Sequence, residues 1–412
     1  MPDKFIISKL SNGLNIAIEH MEGVKSVGAG FLVQTGARDE TPDLAGVSHF
    51  LEHMCFKGTP NRSAAEINID FDRIGGNPNA FTSHDRTFYH GLARTEDFPT
   101  QLEILADMMN SSLPPDEFDM EKNVVLEEIA MSNDRIEHVA FDLIVESVFK
   151  GNSLAWPVLG YDRTVKALTR DQMNHYFRSR YTPANMVLVV AGAVDPDEVI
   201  AQAEKCCGHW VAGEPRPERT KPVMGTGTIQ KTIERFNQQV VAITFEGPGA
   251  SDPMHDTAEA AASILGGGNS RFYWNIEQTG LAPYAGAYRL DFGDCGLLIL
   301  MAQCDPQNTD RVVEALRKEA KSFAAGPVSD EEIQRVKNKR RTSLAVEGES
   351  PHHRLVQVMD DIDYRGRPRT VEDRIAAVNA VGQDSLRAYF DAFPVDGEGL
   401  LVSVGPLKSS AA

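Results

Sequence analysis

The sequence predicts two homologous α+β domains, each an antiparallel-rich sheet with helices packed on one face. Three observations carry this prediction. A repeat recurs at a constant offset of 213 residues. Each half runs from strand-like segments through long helical stretches to a final helix and strand. A segment rich in proline and charge separates the halves.

The first element is a hairpin. Lys4-Phe5-Ile6-Ile7 and Leu14-Asn15-Ile16-Ala17-Ile18 flank Asn12-Gly13, a dipeptide whose backbone preferences suit a tight turn between strands. Val27-Gly28-Ala29-Gly30-Phe31, ending at Gly36, reads as a buried strand, and the offset carries it onto Val240-Val241-Ala242-Ile243-Thr244, ending at Gly249. The helix from Asp171 through Tyr176-Phe177 maps onto Asp384 and Tyr389-Phe390. The strand Val187–Gly192 maps onto Leu400–Gly405. Three matches in one register mean duplication. The domains are therefore expected at 1–212 and 223–412, with residues 213–222 as the linker.

A net charge of −18 argues against nucleic acid or an anionic membrane as the main partner. No apolar run reaches the length of a membrane span, and no charged head with an apolar stretch opens the chain. The five cysteines form no CxxC pair, which fits a reducing compartment, and a cytoplasmic location is expected.

His49-Phe50-Leu51-Glu52-His53 carries the chemistry. On a helix, His49 and His53 stand on one face a turn apart, as two imidazole ligands of one ion would. Thr41-Pro42-Asp43 supplies a proline and a capping carboxylate before this helix. Glu52 faces the same side. The order His-x-x-Glu-His is the inverzincin signature. Zinc takes borderline nitrogen ligands and keeps an open position for water, and a nearby carboxylate can take the water's proton. The plainer alternative is a helix face with two solvated or core histidines. Further on, Glu121 and Glu128 are seven apart and nearly eclipsed on one helix, so one can bind metal while the other orients a ligand from behind. Glu127 points away, toward solvent.

Gly46 through Thr59, Gly75 through Thr82, Glu121 through Glu128, and Tyr181-Thr182-Pro183-Ala184-Asn185-Met186 together resemble the pitrilysin and mitochondrial-processing-peptidase family. The resemblance implies that His49, His53 and Glu128 bind Zn2+, that Glu52 is the general base, and that Glu121 supports a ligand. It implies that Asn79, Ala80 and Phe81, running into Thr82, form an edge strand to which peptide substrate adds as a further strand. It also implies a chamber, which the short two-domain members build by pairing with a second chain.

The offset carries His49, Glu52 and His53 onto Ala262, Leu265 and Gly266, so the second half is expected to lack the metal site. In the family this half often holds substrate with arginines and a tyrosine. Here Arg271 and Tyr284 are present, but Glu277 stands where the second arginine is expected. The expectation is a heterodimer in which a homologous subunit without zinc supplies the missing contacts; a homodimer is the alternative.

Other features have ordinary readings beside functional ones. His352-His353 could attract a metal, although adjacent histidines diverge on a helix. Cys206-Cys207 with His209 suggests packing, as does Cys55. His84 and Arg86 line either a substrate channel or a surface turn. Two other functions share this pattern: a non-catalytic scaffold of the same fold, and a peptide-binding zinc protein.

Overall fold

The structure is a computed structural model that describes residues 5–406; Lys4, placed in the first strand by sequence, lies outside that range. The strands are β1 (Phe5–Lys9), β2 (Asn15–His20), β3 (Ser26–Val33), β4 (Asn77–Thr82), β5 (Thr87–Arg94), β6 (Met186–Gly192), β7 (Gly227–Thr232), β8 (Gln239–Gly247), β9 (Tyr284–Asp291), β10 (Gly296–Cys304) and β11 (Leu400–Gly405). The α-helices of the first half are α1 (Val47–Cys55), α2 (Ala64–Arg73), α3 (Phe98–Met108), α4 (Pro115–Asn133), α5 (Ile136–Val148), α6 (Asp162–Ala167), α7 (Arg170–Arg180) and α8 (Pro196–Cys207). Those of the second half are α9 (His255–Gly266), α10 (Thr309–Ala325), α11 (Asp330–Gly348), α12 (Pro351–Arg365), α13 (Val371–Ala380) and α14 (Gln383–Ala392).

The repeat is visible in the topology. One sheet has the order β1-β2-β6-β3-β5-β4 and the other β7-β11-β8-β10-β9. In each, a single parallel pair (β2 with β6, β7 with β11) precedes an antiparallel run that ends on an edge strand, β4 or β9. The Asn12-Gly13 turn joins antiparallel β1 and β2 with Gly13 at φ +101°, a conformation that favours glycine.

The compact units are not contiguous in sequence. The first comprises residues up to Ala130, Trp156–Arg219 and Val346–Arg369; the second comprises Met131–Ala155, Thr220–Ala345 and the chain from Thr370. The helices encoded with each sheet pack on one face, as expected. In the first unit, Phe31, Tyr89 and Leu188 meet Phe50, Phe71, Leu102 and Phe177 there. The opposite face of each sheet is covered by one helix from the other half of the sequence. Leu355, Val358 and Met359 of α12 pack on Leu32, Phe88 and Val189 in the first unit. Ile136, Ala140 and Ile144 of α5 pack on Val240, Ala242 and Val402 in the second. Alternating side chains of β6 and β8 thus enter two different cores, which is why β6 throughout and β8 from Gln239 to Phe245 are buried on both faces rather than alternately.

Gly213 through Pro222 has no regular secondary structure, and its Arg219 pairs with Asp39 at 2.5 Å and Asp85 at 2.9 Å. Among the described residues no helix is long and apolar enough to cross a membrane.

Candidate metal centre

Helix α1 buries Val47, Phe50, Leu51, Met54 and Cys55, an i, i+3, i+4 stripe that fixes which way the helix faces. His49, Glu52 and His53 occupy the remaining face and are only partly buried. The start of the helix is set by Gly46 at φ +97°, where a Cβ would also lie 2.7 Å from the Leu159 carbonyl oxygen. The capping carboxylate is not Asp43, which accepts from the Thr41 hydroxyl nearby. Buried Glu40 accepts the backbone N–H groups of Gly46 at 2.8 Å and Ser48 at 2.7 Å. Burial pushes the Glu40 carboxyl up to about 8, against the pull of its two backbone bonds. Glu40→Gln replaces one acceptor oxygen with a donor opposite a backbone N–H. The expected cost is about 1–3 kcal/mol of stability, measured by urea denaturation.

Helix α4 shows the helix its partner carboxylates. Its buried positions are Phe118, Glu121, Val125 and Ile129, so Glu121 belongs to the inward stripe, Glu128 lies beside it and Glu127 is exposed. Glu128 Oε2 is 3.7 Å from His49 Nε2 and 3.6 Å from His53 Nε2. Glu121 Oε1 lies 2.8 Å from His53 Nδ1, while Lys57 Nζ donates to Glu121 Oε2 at 2.7 Å. The Glu121 bond assigns the proton to Nδ1 of His53 and leaves Nε2 as the lone pair facing Glu128. Burial raises the Glu121 carboxyl, but the hydrogen bonds from Lys57 and His53 outweigh it and hold the group below its usual range. Burial, reinforced by His53, pushes the His49 imidazole down to about 3, so it is neutral and able to ligate. His49 Nδ1 is buried without a hydrogen-bond partner.

Glu52 is held from the edge strand. The Thr82 hydroxyl, at the end of β4, donates to Glu52 Oε2 at 2.5 Å. Burial raises the Glu52 carboxyl, which the Thr82 bond partly offsets. Asn79, Ala80 and Phe81 lie on β4, which among the described residues pairs only with β5 and leaves its other edge open. Asn79 Oδ1 accepts its neighbour's N–H at Ala80, and Phe81 packs edge-on to Phe88.

The second-half residues lie in the other unit. Arg271 makes a two-pronged ion pair with Glu332, at 2.7 and 3.0 Å, and lies over the Phe323 ring. Tyr284 is exposed at the start of β9. Glu277 accepts the Ala285 N–H at 2.9 Å, a local structural role that the sequence did not suggest. Ala262, Leu265 and Gly266 fall on α9, with Ala262 and Leu265 buried. Another group of ligand-type residues, His255, Glu259 and Asp291, occurs in this unit. Arg289 already bonds Asp291 and approaches Glu259 to 3.4 Å, so the guanidinium supplies the cation there.

Cys55, Arg86 and His84 have structural roles. Cys55 is buried, and burial pushes its thiol up to about 12, so it is not a reactive thiolate. Arg86 pairs with Asp363 at 3.1 Å and with Asp360, and His84 Nε2 is 3.1 Å from the Trp156 carbonyl oxygen. Sequence reasoning gave no part to Thr82 as the holder of Glu52, to Lys57 or to Glu40. For Thr82 the signal was its place at the end of the proposed edge strand.

Residues 15–162 match the model of the insulinase family, peptidase family M16, and residues 167–340 match the peptidase M16 inactive domain. The chain belongs to peptidase family M16. It is a member of the short two-domain, pitrilysin-like type. An uncharacterized zinc protease of Streptomyces coelicolor is 32% identical over 98% of this chain and 90% of its own length. One from Bacillus subtilis is 31% identical over 91% and 92%. A protease from Helicobacter pylori has the same fold, with a TM-score of 0.90 over 97% of this chain and 99% of its own at 20% identity. So does a chain of complex III2 from Candida albicans, with a TM-score of 0.86 over 99% and 97% at 16% identity. The inactive-domain match begins beyond His49, Glu52, His53 and Glu128, and it includes the positions Ala262, Leu265 and Gly266.

Proposed function

We propose that this M16 chain is a zinc-dependent endopeptidase acting on extended peptides. The observation that carries this reading is the convergence of ligand atoms from His49, His53 and Glu128 within 4.8 Å of one another, with Glu52 on the same helix face. Two imidazole nitrogens and one carboxylate oxygen fit zinc and leave a fourth position for water. Zinc held there would supply Lewis acidity toward water and the scissile carbonyl. Glu52 takes the proton of the attacking water and passes it to the leaving amine. Glu121 keeps the His53 ring turned, and the open edge of β4 offers backbone N–H and C=O groups to a peptide that aligns as an added strand. Backbone pairing of this kind tolerates many side chains.

Cleavage of a fluorogenic extended peptide should be abolished by a chelator and restored by zinc; chelator-resistant cleavage would contradict the assignment. Glu121→Ala should weaken zinc binding about 10- to 100-fold by releasing the His53 ring. An unchanged affinity would show that Glu121 does not orient the ligand.

The chain is further proposed to work as the zinc-bearing member of a two-subunit chamber. Arg271 is committed to Glu332 and Glu277 to the Ala285 N–H, so the second half keeps neither an uncommitted arginine nor a second one at these positions. A homologous chain without the metal set would supply those contacts. Mixing the two chains should raise activity; full activity of this chain alone would refute the pairing. The five cysteines, none of them in a disulfide and four of them buried, support a reducing, cytoplasmic setting.

A further inference from the structure

His352 and His353, adjacent near the start of α12, have no part in the catalytic reading. The fold brings a third histidine to them. Side chains alternate along β5, so Phe88 and His90 face the same side, and Phe88 packs there with Leu355, Val358 and Met359 of α12. His90 and His352 therefore meet across the sheet–helix interface, with ring centroids 5.2 Å apart. The Phe88 ring stacks on His90 at 5.1 Å and 23°, fixing the imidazole plane.

We propose that His90 and His352 form a second metal site, for a divalent transition metal that takes nitrogen ligands in tetrahedral geometry: Zn2+, or Co2+ as its substitute. His90 is only 5% exposed, and its Nδ1 is buried with no hydrogen-bond partner. A buried imidazole nitrogen without a partner is costly, and a metal bond is one of the few ways to satisfy it. The spacing agrees. With metal–nitrogen bonds of about 2.0 Å and a tetrahedral angle, two ligating imidazoles hold their ring centres about 5.2 Å apart. The His49–His53 pair stands at 4.6 Å, corresponding to a narrower angle between ligands. Burial lowers the pKa of both His90 and His352, and in each case a neighbouring histidine lowers it further. Neutral imidazoles as the only ligands select borderline metals over Mg2+ and Ca2+, which require oxygen. The bound ion would tie β5 to α12, the single helix covering that face of the sheet.

This site does not depend on the catalytic assignment, and its test removes the catalytic ligands first. The full chain carrying His49→Ala and His53→Ala is titrated with Co2+ and followed by its visible d–d absorption. One saturable cobalt per chain is expected, with the intense absorption of a tetrahedral site and a metal-dependent rise in Tm. Adding His352→Gln, a partly buried position that should not disturb folding, should remove all three. His90→Phe provides a second variant that keeps the buried volume filled. Cobalt binding that survives His352→Gln unchanged, or no saturable cobalt in the parent, would overturn the proposal.

Discussion

Replacing Glu52 by Gln is expected to lower kcat for cleavage of an extended peptide by about 10²- to 10⁴-fold, the usual contribution of a positioned general base. Zinc content should not change. The amide keeps the shape of the side chain and can still accept the Thr82 hydroxyl bond that holds Oε2 at 2.5 Å, but it cannot take a proton. The proposed ligand atoms belong to His49, His53 and Glu128, so the substitution leaves that set intact. The pair of measurements is zinc per chain and kcat under saturating peptide. Loss of zinc with loss of activity would make Glu52 a structural residue of the site. Retained activity would remove it from the mechanism.

Arg354→Ala is expected to be the most damaging single change to stability, costing about 3–5 kcal/mol. Arg354 and Glu19 are both fully buried, and their Nε–Oε2 distance is 2.7 Å. The guanidinium also bonds Gln357 and donates to the Arg369 carbonyl at 3.0 Å. Removing it takes the guanidinium away from a carboxylate in the interior, beside the core in which α12 covers the first sheet. The large cost is that of a buried charge deprived of its guanidinium rather than of a lost attraction, so Glu19→Leu combined with Arg354→Met should recover most of it. Urea midpoints of the single and double variants read the difference. Equal destabilisation in both would mean that packing, not charge, dominates.

Local periodicity made much of this legible beforehand. The spacing of His49 and His53 and the apolar stripe of α1 both follow from 3.6 residues per turn, so the sequence alone places the imidazoles on the face away from the core. The same reasoning put Glu121 and Glu128 on one side of α4. Which of them would ligate a metal came only from the family resemblance, because spacing cannot distinguish two nearly eclipsed carboxylates; both reach the imidazoles, Glu121 at Nδ1 of His53 and Glu128 near the two Nε2 atoms. The offset repeat identified equivalent strands but not that α5 and α12 would each cover the sheet encoded by the other half of the sequence. A helix with an apolar face does not encode which sheet it will cover. Long-range polar contacts were hidden for a related reason. Thr82 meets Glu52, and Arg354 meets Glu19, only after strands and helices distant in sequence have been paired. The Glu40 cap was missed because the sequence rule selects the carboxylate closest to the helix start, whereas Gly46 turns the chain so that a more distant, buried one reaches it.

The central claim is that His49, His53 and Glu128 form one catalytic zinc site. Zinc titration of the metal-stripped chain, with peptide cleavage followed in the same samples, tests it most directly. Activity should rise in proportion to the first zinc bound and reach its limit at one per chain. His49→Ala should abolish that binding step, and His352→Gln should leave it unchanged. Zinc binding that persists in His49→Ala with no change in affinity, or peptide cleavage that does not depend on occupancy, would contradict the assignment.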